Sequence, residues 1–129
     1  PALIRPSVHW NHAAGAETTR RLIEEGVVFD AVFALNDTMG LGALRALGEA
    51  GLHVPNDVSV IGFDNIDEAR YSVPSLTSID VGREHIAIAA IDLLIERIEE
   101  KGERRPPRTV TPEFRIVRRE STGFAGSGH

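Results

Sequence analysis

Residues 31–51 read AVFALNDTMGLGALRALGEAG and contain the two patterns that decide the fold. The first five residues form an apolar run too short for a helix, which is typical of a strand buried on both faces. Asn36 or Asp37 can cap a helix directly after it, and Gly51 is suited to end that helix. The helix carries leucines at helical spacing: Leu41, Leu44 and Leu47. The stretch therefore predicts one strand followed by one amphipathic helix.

The same alternation of apolar strands and amphipathic helices extends in both directions along the chain. Helices are predicted in residues 10–26 and 83–102, each closed by a glycine. Further strands are predicted at Ala2–Ile4, Val58–Phe63 and residues 74–81, with edge strands at Arg108–Val110 and Phe114–Val117 around Pro112. Buried strands that alternate with helices predict an α/β fold, a parallel open sheet with helices on both faces.

Composition excludes several classes of function. The chain has 129 residues, is 42% hydrophobic and 26% charged, and has a net charge of -5, which disfavours direct binding to DNA. It contains no cysteine, and no apolar run approaches the roughly 20 residues that a membrane span needs. The chain begins at Pro1 without an initiator methionine, so we expect a piece of a longer protein. Residues 1–122 are expected to form one domain, and residues 123–129 a flexible tail.

The helix predicted after residue 83 has an unusually wide apolar surface. Its two apolar stripes consist of Ile86, Ala90, Leu93 and Ile98, and of Ile88, Ile91 and Ile95. A helix that packs only on its own sheet needs a stripe of about 100°. Two explanations remain open: the helix lies deep in its own domain, or part of the second stripe faces another subunit.

Signals for nucleotide binding, metal binding and catalysis are weak. Gly40 and Gly42 fall inside the predicted helix rather than in the turn before it, and the third glycine of a dinucleotide fingerprint is replaced by Arg45. We expect these glycines to let the helix lie close to the sheet. His9 and His12 are too few for a zinc site, and we find no Ser-His-Asp arrangement. No catalytic residue, metal or cofactor is predicted.

Polar pairs at two predicted strand ends are the stronger signal for a binding site. Asn36 and Asp37 follow one strand, and Asp64 and Asn65 follow another, so both pairs emerge where open α/β sheets bind ligands. We assign Asp37 to the helix cap, whereas the other residues of the two pairs are either caps and turns or ligand contacts. Trp10 lies beside a predicted strand end, where an indole serves either as core or as a stacking face. An indole, an amide and a carboxylate together suit a hydroxyl-rich ligand such as a sugar or nucleoside.

An ordered set of motifs resembles the C-terminal effector-binding half of bacterial LacI/GalR-family transcriptional repressors. The motifs include Trp10 followed by Gly15, the Asn36-Asp37 pair, and a final Arg-Glu-Ser-Thr. Between them stand VPNDVSVIGFDN at residues 54–65 and PSLTSI at residues 74–79. The resemblance runs from about Trp10 to Thr122 and implies one subdomain of a fold like that of periplasmic sugar-binding proteins.

The resemblance also implies a mechanism and a set of contacts. In that family the position of Trp10 offers an aromatic face to the effector, and those of Asn36 and Asp64 hydrogen-bond it. The family commonly has Gln or His just after the LTSI segment, whereas this chain has Asp80, and Asp80 or Arg83 is the candidate replacement. The effector, a sugar or related polyol, would control operator DNA through an N-terminal helix-turn-helix that this chain lacks. A cytoplasmic homodimer is expected.

Two rival functions share the fold. An exported sugar-binding protein that feeds a transporter has the same architecture, and only the upstream sequence separates it from a repressor. An enzyme would need a second catalytic group near Asp64, and the sequence offers none. We therefore expect a non-enzymatic regulator.

Overall fold

A single sheet organises the residues that the computed structural model describes, 3–102 and 105–123. The elements in chain order are α1 (His12–Glu24), β1 (Ala31–Phe33), α2 (Asp37–Glu49), β2 (Ser59–Phe63), α3 (Glu68–Tyr71), β3 (Thr77–Asp80), α4 (Arg83–Glu99) and β4 (Arg115–Val117). The one-turn helix α3 was not predicted. Every other helix lies within its predicted range. Gly26 and Gly51 follow α1 and α2, and their left-handed backbone conformation ends these helices as predicted.

The sheet has the strand order β1-β2-β3-β4. Strands β1, β2 and β3 are parallel, whereas β4 runs antiparallel to β3 with Arg115 opposite Asp80. The α/β class is confirmed, with the sheet mixed at one edge. Three parallel strands point their carboxyl ends to one edge, and that edge is where the candidate site lies.

The core sits between α2 and the strands β2 and β3. Leu44 and Leu47 of α2 are buried there, as their helical spacing predicts. Val58, Val60, Ala69 and Leu76 complete the buried cluster. Burial of such side chains contributes roughly 1.5–3 kcal/mol each, which fixes α2 on the sheet and sets the position of its N-terminus.

Helices α1 and α2 approach each other at backbone distance. A Cβ added to Gly15 would overlap the Met39 carbonyl, and one added to Gly42 would overlap the His12 carbonyl. Gly40 instead faces Leu76 and Ala34. Gly40 and Gly42 are therefore packing residues inside α2, as expected. Gly42, however, contacts α1 rather than the sheet.

Two predicted strands do not form. Leu3 and Ile4 run exposed beside β1 across a cavity of about 430 Å³, because an apolar run predicts burial without supplying a pairing partner. Ala2 lies outside the described residues. Arg108–Val110 is also irregular, flanked by Pro106, Pro107 and Pro112, which cannot donate to a ladder. The predicted tail lies outside the described residues except for Gly123.

Helix α4 buries none of its residues. The prediction that it lies deep in its own domain is wrong, because α1 and α2 rather than α4 cover the buried cluster. A groove of about 640 Å³ lies between α4 and residues 110–113. A helix with so wide an apolar face is suited to burial against another element. The other prediction, a face on another subunit, stays a prediction.

Candidate ligand-binding site

The predicted site residues stand at the carboxyl edge of the parallel strands. Asp64 directly follows β2, Asp80 is the last residue of β3, and Asn36 lies three residues beyond β1. The backbone continues the pairing past β1, since the Ala34 amide donates to the Ile61 carbonyl. The sheet thus brings these side chains to one edge, as the strand pattern predicted.

Asn36 caps α2, and the prediction that Asp37 does so is wrong. The Asn36 Oδ1 accepts a hydrogen bond of 2.7 Å from the Met39 amide, while its extended backbone leads into the helix. Its Nδ2 donates to the Trp10 carbonyl at 3.3 Å. Because a side-chain amide has two N–H donors, one remains to donate to a ligand.

Trp10 is 63% exposed, so it is not a core residue. The hydrogen bond from Asn36 holds its backbone beside the start of α2. Its side chain lines the cavity between β1 and the segment Leu3–Ser7. The indole is therefore exposed and can serve as an aromatic face, although neither Asn36 nor Asp64 lines the cavity that Trp10 lines.

Asp64 presents a partly buried carboxylate from a tight turn. Asp64 has φ 103° and Asn65 has φ 52°, both in the left-handed region that favours glycine. The Asp64 amide donates to the Ile79 carbonyl at 2.9 Å. Within residues 3–102 and 105–123, no hydrogen bond engages the Asp64 carboxylate, which leaves both oxygens as acceptors for hydroxyl groups.

Asp80 is already engaged by its neighbours. Its Oδ1 accepts from the Gly82 amide at 3.0 Å, and its Oδ2 accepts from Arg115 Nε at 3.2 Å and Nη2 at 3.1 Å. The Gly82 hydrogen bond and the Arg115 guanidinium lower the pKa of Asp80. Arg83 donates to the Asn65 carbonyl at 3.1 Å. A ligand contact by Asp80 or Arg83 stays a prediction.

Asp37 at the start of α2 is fully buried and hydrogen-bonds both to β3 and to the segment before α3. Its Oδ1 accepts a hydrogen bond of 2.6 Å from the Ser78 hydroxyl of β3, and its Oδ2 accepts one of 2.9 Å from the Ile66 amide. Burial raises the pKa of Asp37, while these two hydrogen bonds oppose that rise. A Cβ on Gly62 would overlap Oδ1. A glycine inside a strand indicates that another group approaches the backbone closely, so Gly62 was the one sequence signal for the position of Asp37.

Arg119 is a second residue that the sequence did not assign to the site. Its Nη1 donates to the Leu76 carbonyl and its Nη2 to the Asn65 Oδ1, both at 2.6 Å. Its only sequence signal was its place in the terminal Arg-Glu-Ser-Thr motif. The C-terminal segment thereby contacts the turn that carries Asp64.

Neither a metal site nor a membrane-spanning helix is found among the described residues. Across 3–102 and 105–123, no group of three His, Asp or Glu side chains has the proximity that a metal ion requires. His9 and His12 are both exposed. In the same part of the chain, every helix is too short or too polar to span a bilayer.

The family model for the periplasmic binding protein-like domain matches residues 4–122. The chain belongs to this family. Its relatives place it among LacI-type regulators. The transcriptional repressor PurR of Pasteurella multocida is 42% identical over 102 residues, which are 79% of this chain and 30% of that protein. A LacI-family regulator from Sanguibacter keddieii has a TM-score of 0.90 and 49% identity, over 95% of this chain and 45% of that one.

A second similar structure contains a sugar. The regulator CelR in complex with cellobiose has a TM-score of 0.79 and 36% identity, over 86% of this chain and 33% of that one. This LacI-type chain thus spans less than half the length of each of these three proteins. The relatives are regulators rather than enzymes, which confirms the expectation of a non-enzymatic protein.

Proposed function

We propose that this chain is the effector-binding part of a LacI-type transcriptional regulator, and that its effector is a neutral sugar or a related polyol or nucleoside. The observation that most supports this proposal is that Asn36 and Asp64 follow neighbouring strands at the carboxyl edge of the sheet, where Asn36 also contacts the backbone of Trp10. Each offers a different contact: an aromatic face, an amide donor and a charged acceptor. Sugars need all three, since they expose C–H faces between hydroxyl groups.

The Asp64 carboxylate and the capped start of α2 favour a neutral ligand over a phosphate, since the nearby Arg83 and Arg119 guanidiniums already donate to Asn65. The Asp64 carboxylate would repel an anion, and the N-terminus of α2 is capped by Asn36 and followed by the buried Asp37. A phosphate site at a helix N-terminus needs free amides and no competing anion. The cellobiose complex of CelR supports a saccharide as the first ligand to test.

Regulation requires a second wall for the site and a DNA-binding unit. The region of similarity covers only 30% of the PurR that it matches. We propose that the effector binds between this domain and a second subdomain. It would shift the population of their arrangements, and thereby operator binding by a helix-turn-helix. Such coupling needs a ligand whose affinity differs between the two arrangements.

Exposed apolar side chains favour a protein partner. Ile88 and Ile91 of α4 are exposed, as are Tyr71 at the end of α3 and Val73 after it. Exposed apolar side chains clustered on one helix face are typical of interaction sites. We propose a homodimer in the cytoplasm, to be measured by sedimentation velocity of the intact protein. A transporter-linked binding protein is not favoured, because the relatives compared above are regulators.

Calorimetric titration of the intact protein tests the proposed effector class. We expect binding of at least one sugar from a panel that begins with cellobiose, and no binding of inorganic phosphate at the same site. Asp64→Ala should weaken that binding by about 1.5–3 kcal/mol, since a hydrogen bond to a charged group is lost. Asp67→Ala is the matched control, because Asp67 is exposed and its side chain makes no cap hydrogen bond. Equal affinities of wild type and Asp64→Ala would refute the site.

A further inference from the structure

We propose that Arg119 is a positioning residue for ligand binding: it holds the Asp64–Asn65 turn so that the Asp64 carboxylate faces the ligand. The proposal rests on the proposed function, because it takes Asp64 as a ligand contact. Its basis is a guanidinium that connects the C-terminal segment to a turn 54 residues earlier in the sequence.

The turn needs external support. Asp64 and Asn65 both have positive φ values, which side-chain-bearing residues rarely adopt, and two such residues follow each other here. Local hydrogen bonding gives Asn65 some tolerance of this conformation, but Asp64 lies further from the usual left-handed values. Without bonds from other elements, the backbone is expected to sample extended conformations that redirect the carboxylate.

Neighbouring elements supply those bonds. The Asp64 amide donates to the Ile79 carbonyl, and the Asn65 amide donates to the Ser78 hydroxyl at 3.0 Å. The Ile66 amide donates to Asp37. All three hold the backbone from the side of β3 and α2. Arg119 of the C-terminal segment differs because it holds the Asn65 side chain, whereas Arg83 of α4 donates to the Asn65 carbonyl.

Arg119 is itself fixed in place. Its amide donates to the Thr77 hydroxyl at 2.8 Å, and its Nη1 donates to the Leu76 carbonyl. Two residues later, the buried Ser121 donates from its hydroxyl to the Val60 carbonyl and accepts from the Thr77 amide. A planar guanidinium can reach the Leu76 and Asn65 oxygens at once, whereas a lysine ammonium lacks this fork geometry. The turn is therefore attached to the start of β3.

The direction of the Asp64 carboxylate depends on this attachment. No hydrogen bond from the described residues engages that carboxylate, so its backbone sets where it points. The positive charge of Arg119 also acts on the buried Asp37 carboxylate under the same turn. Loss of Arg119 should thus release the Asn65 side chain, while the bonds from β3, α2 and Arg83 still hold the backbone of the turn.

The test compares Arg119→Met with Arg118→Met in the intact protein. Both remove one positive charge and leave a chain of similar length, but Arg118 is exposed and makes no hydrogen bond or ion pair within 3–102 and 105–123. With cellobiose or the tightest-binding sugar of the panel as probe, we expect Arg119→Met to weaken binding by about tenfold or more, and Arg118→Met by less than about twofold. Arg119→Lys should fall between them.

Amide exchange provides a readout that does not need the ligand. We expect faster exchange at Asn65 and Ile66 in Arg119→Met, with unchanged exchange in α1 and α2. If Arg119→Met does not fold, Asn65→Gly breaks the same hydrogen bond from the other side, keeps a residue that adopts a positive φ, and leaves the bond to Leu76. Sugar affinity and turn exchange equal to those of Arg118→Met would overturn the proposal. Should no sugar bind the wild type, the proposed function fails, and the exchange rates alone decide whether Arg119 holds the turn.

Discussion

The Ser78 hydroxyl of β3 donates a hydrogen bond of 2.6 Å to the Asp37 carboxylate at the start of α2. Both residues are fully buried. A buried carboxylate is costly unless hydrogen bonds compensate for its lost hydration, so this contact couples the stability of the fold to the edge where the ligand site lies.

Ser78→Ala should lower the free energy of unfolding by about 1.5–3 kcal/mol, because it leaves one oxygen of a buried charge without its donor and the Asn65 amide without its acceptor. Urea denaturation of this chain measures the change. Ser59→Ala is the control, since Ser59 is half-buried on β2 and its hydroxyl makes no hydrogen bond among the described residues. That change should stay within about 0.5 kcal/mol. Equal losses in both variants would contradict the role of the Asp37 hydrogen bond.

Asp37 and Asp80 should give opposite trends of stability with pH. Burial raises the pKa of Asp37 above 3.8, so its folded state binds the proton more tightly and its contribution to stability falls as pH rises above that value. The pKa of Asp80 is lowered from 3.8 by Gly82 and Arg115, so its contribution is present above that value and is lost as pH falls below it.

Denaturation of wild type, Asp37→Asn and Asp80→Asn across this pH range measures both trends. The stability advantage of wild type over Asp37→Asn should shrink as pH rises from about 4. Its advantage over Asp80→Asn should instead shrink as pH falls below about 4. If both advantages changed with pH in the same direction, burial would not be what sets the pKa of Asp37.

Gly42→Ala should destabilise the chain although alanine favours helices by about 1 kcal/mol over glycine. The new methyl group would overlap the His12 carbonyl, and overpacking of this kind costs about 1–3 kcal/mol. Gly48→Ala in the same helix has open space around the added atom and should stabilise by about 0.5–1 kcal/mol. Thermal unfolding of the two variants should therefore move the melting temperature in opposite directions.

Trp10→Ala should weaken sugar binding by about 1–3 kcal/mol without a matching loss of stability. The residue is 63% exposed, so the free energy of unfolding should change by less than about 0.5 kcal/mol. Trp10→Phe keeps an aromatic face and should retain part of the affinity. Calorimetry and denaturation of the same samples separate the two effects. A large loss of stability with unchanged affinity would make Trp10 a structural residue.

Local patterns in the sequence predict much of this fold. The spacing of Leu44 and Leu47 identifies the buried face of α2, and the strand ends place Asn36 and Asp64 at one edge. Both follow from periodicity and from the rule that parallel strands share a carboxyl edge.

Contacts between distant residues were not predictable in this way. Asp37 and Ser78 are 41 residues apart, and Asn65 and Arg119 are 54 apart, so no spacing in the sequence relates them. Asp37 was assigned to the cap because Asn and Asp both suit that position, and only the geometry decides between neighbours. The apolar pattern of α4 likewise predicted burial but not what would bury it.

The close contact of α1 and α2 has a consequence for the entropy of ligand binding. Trp10 stands just before α1 and Asn36 just before α2, and these two helices meet with backbone against backbone at Gly15 and Gly42. Such a contact resists sliding of the two helices, so the backbones that carry the aromatic face and the amide should keep one separation with or without a sugar. Binding then pays little ordering cost at these two groups, and the preorganised pair converts more of its contact energy into affinity.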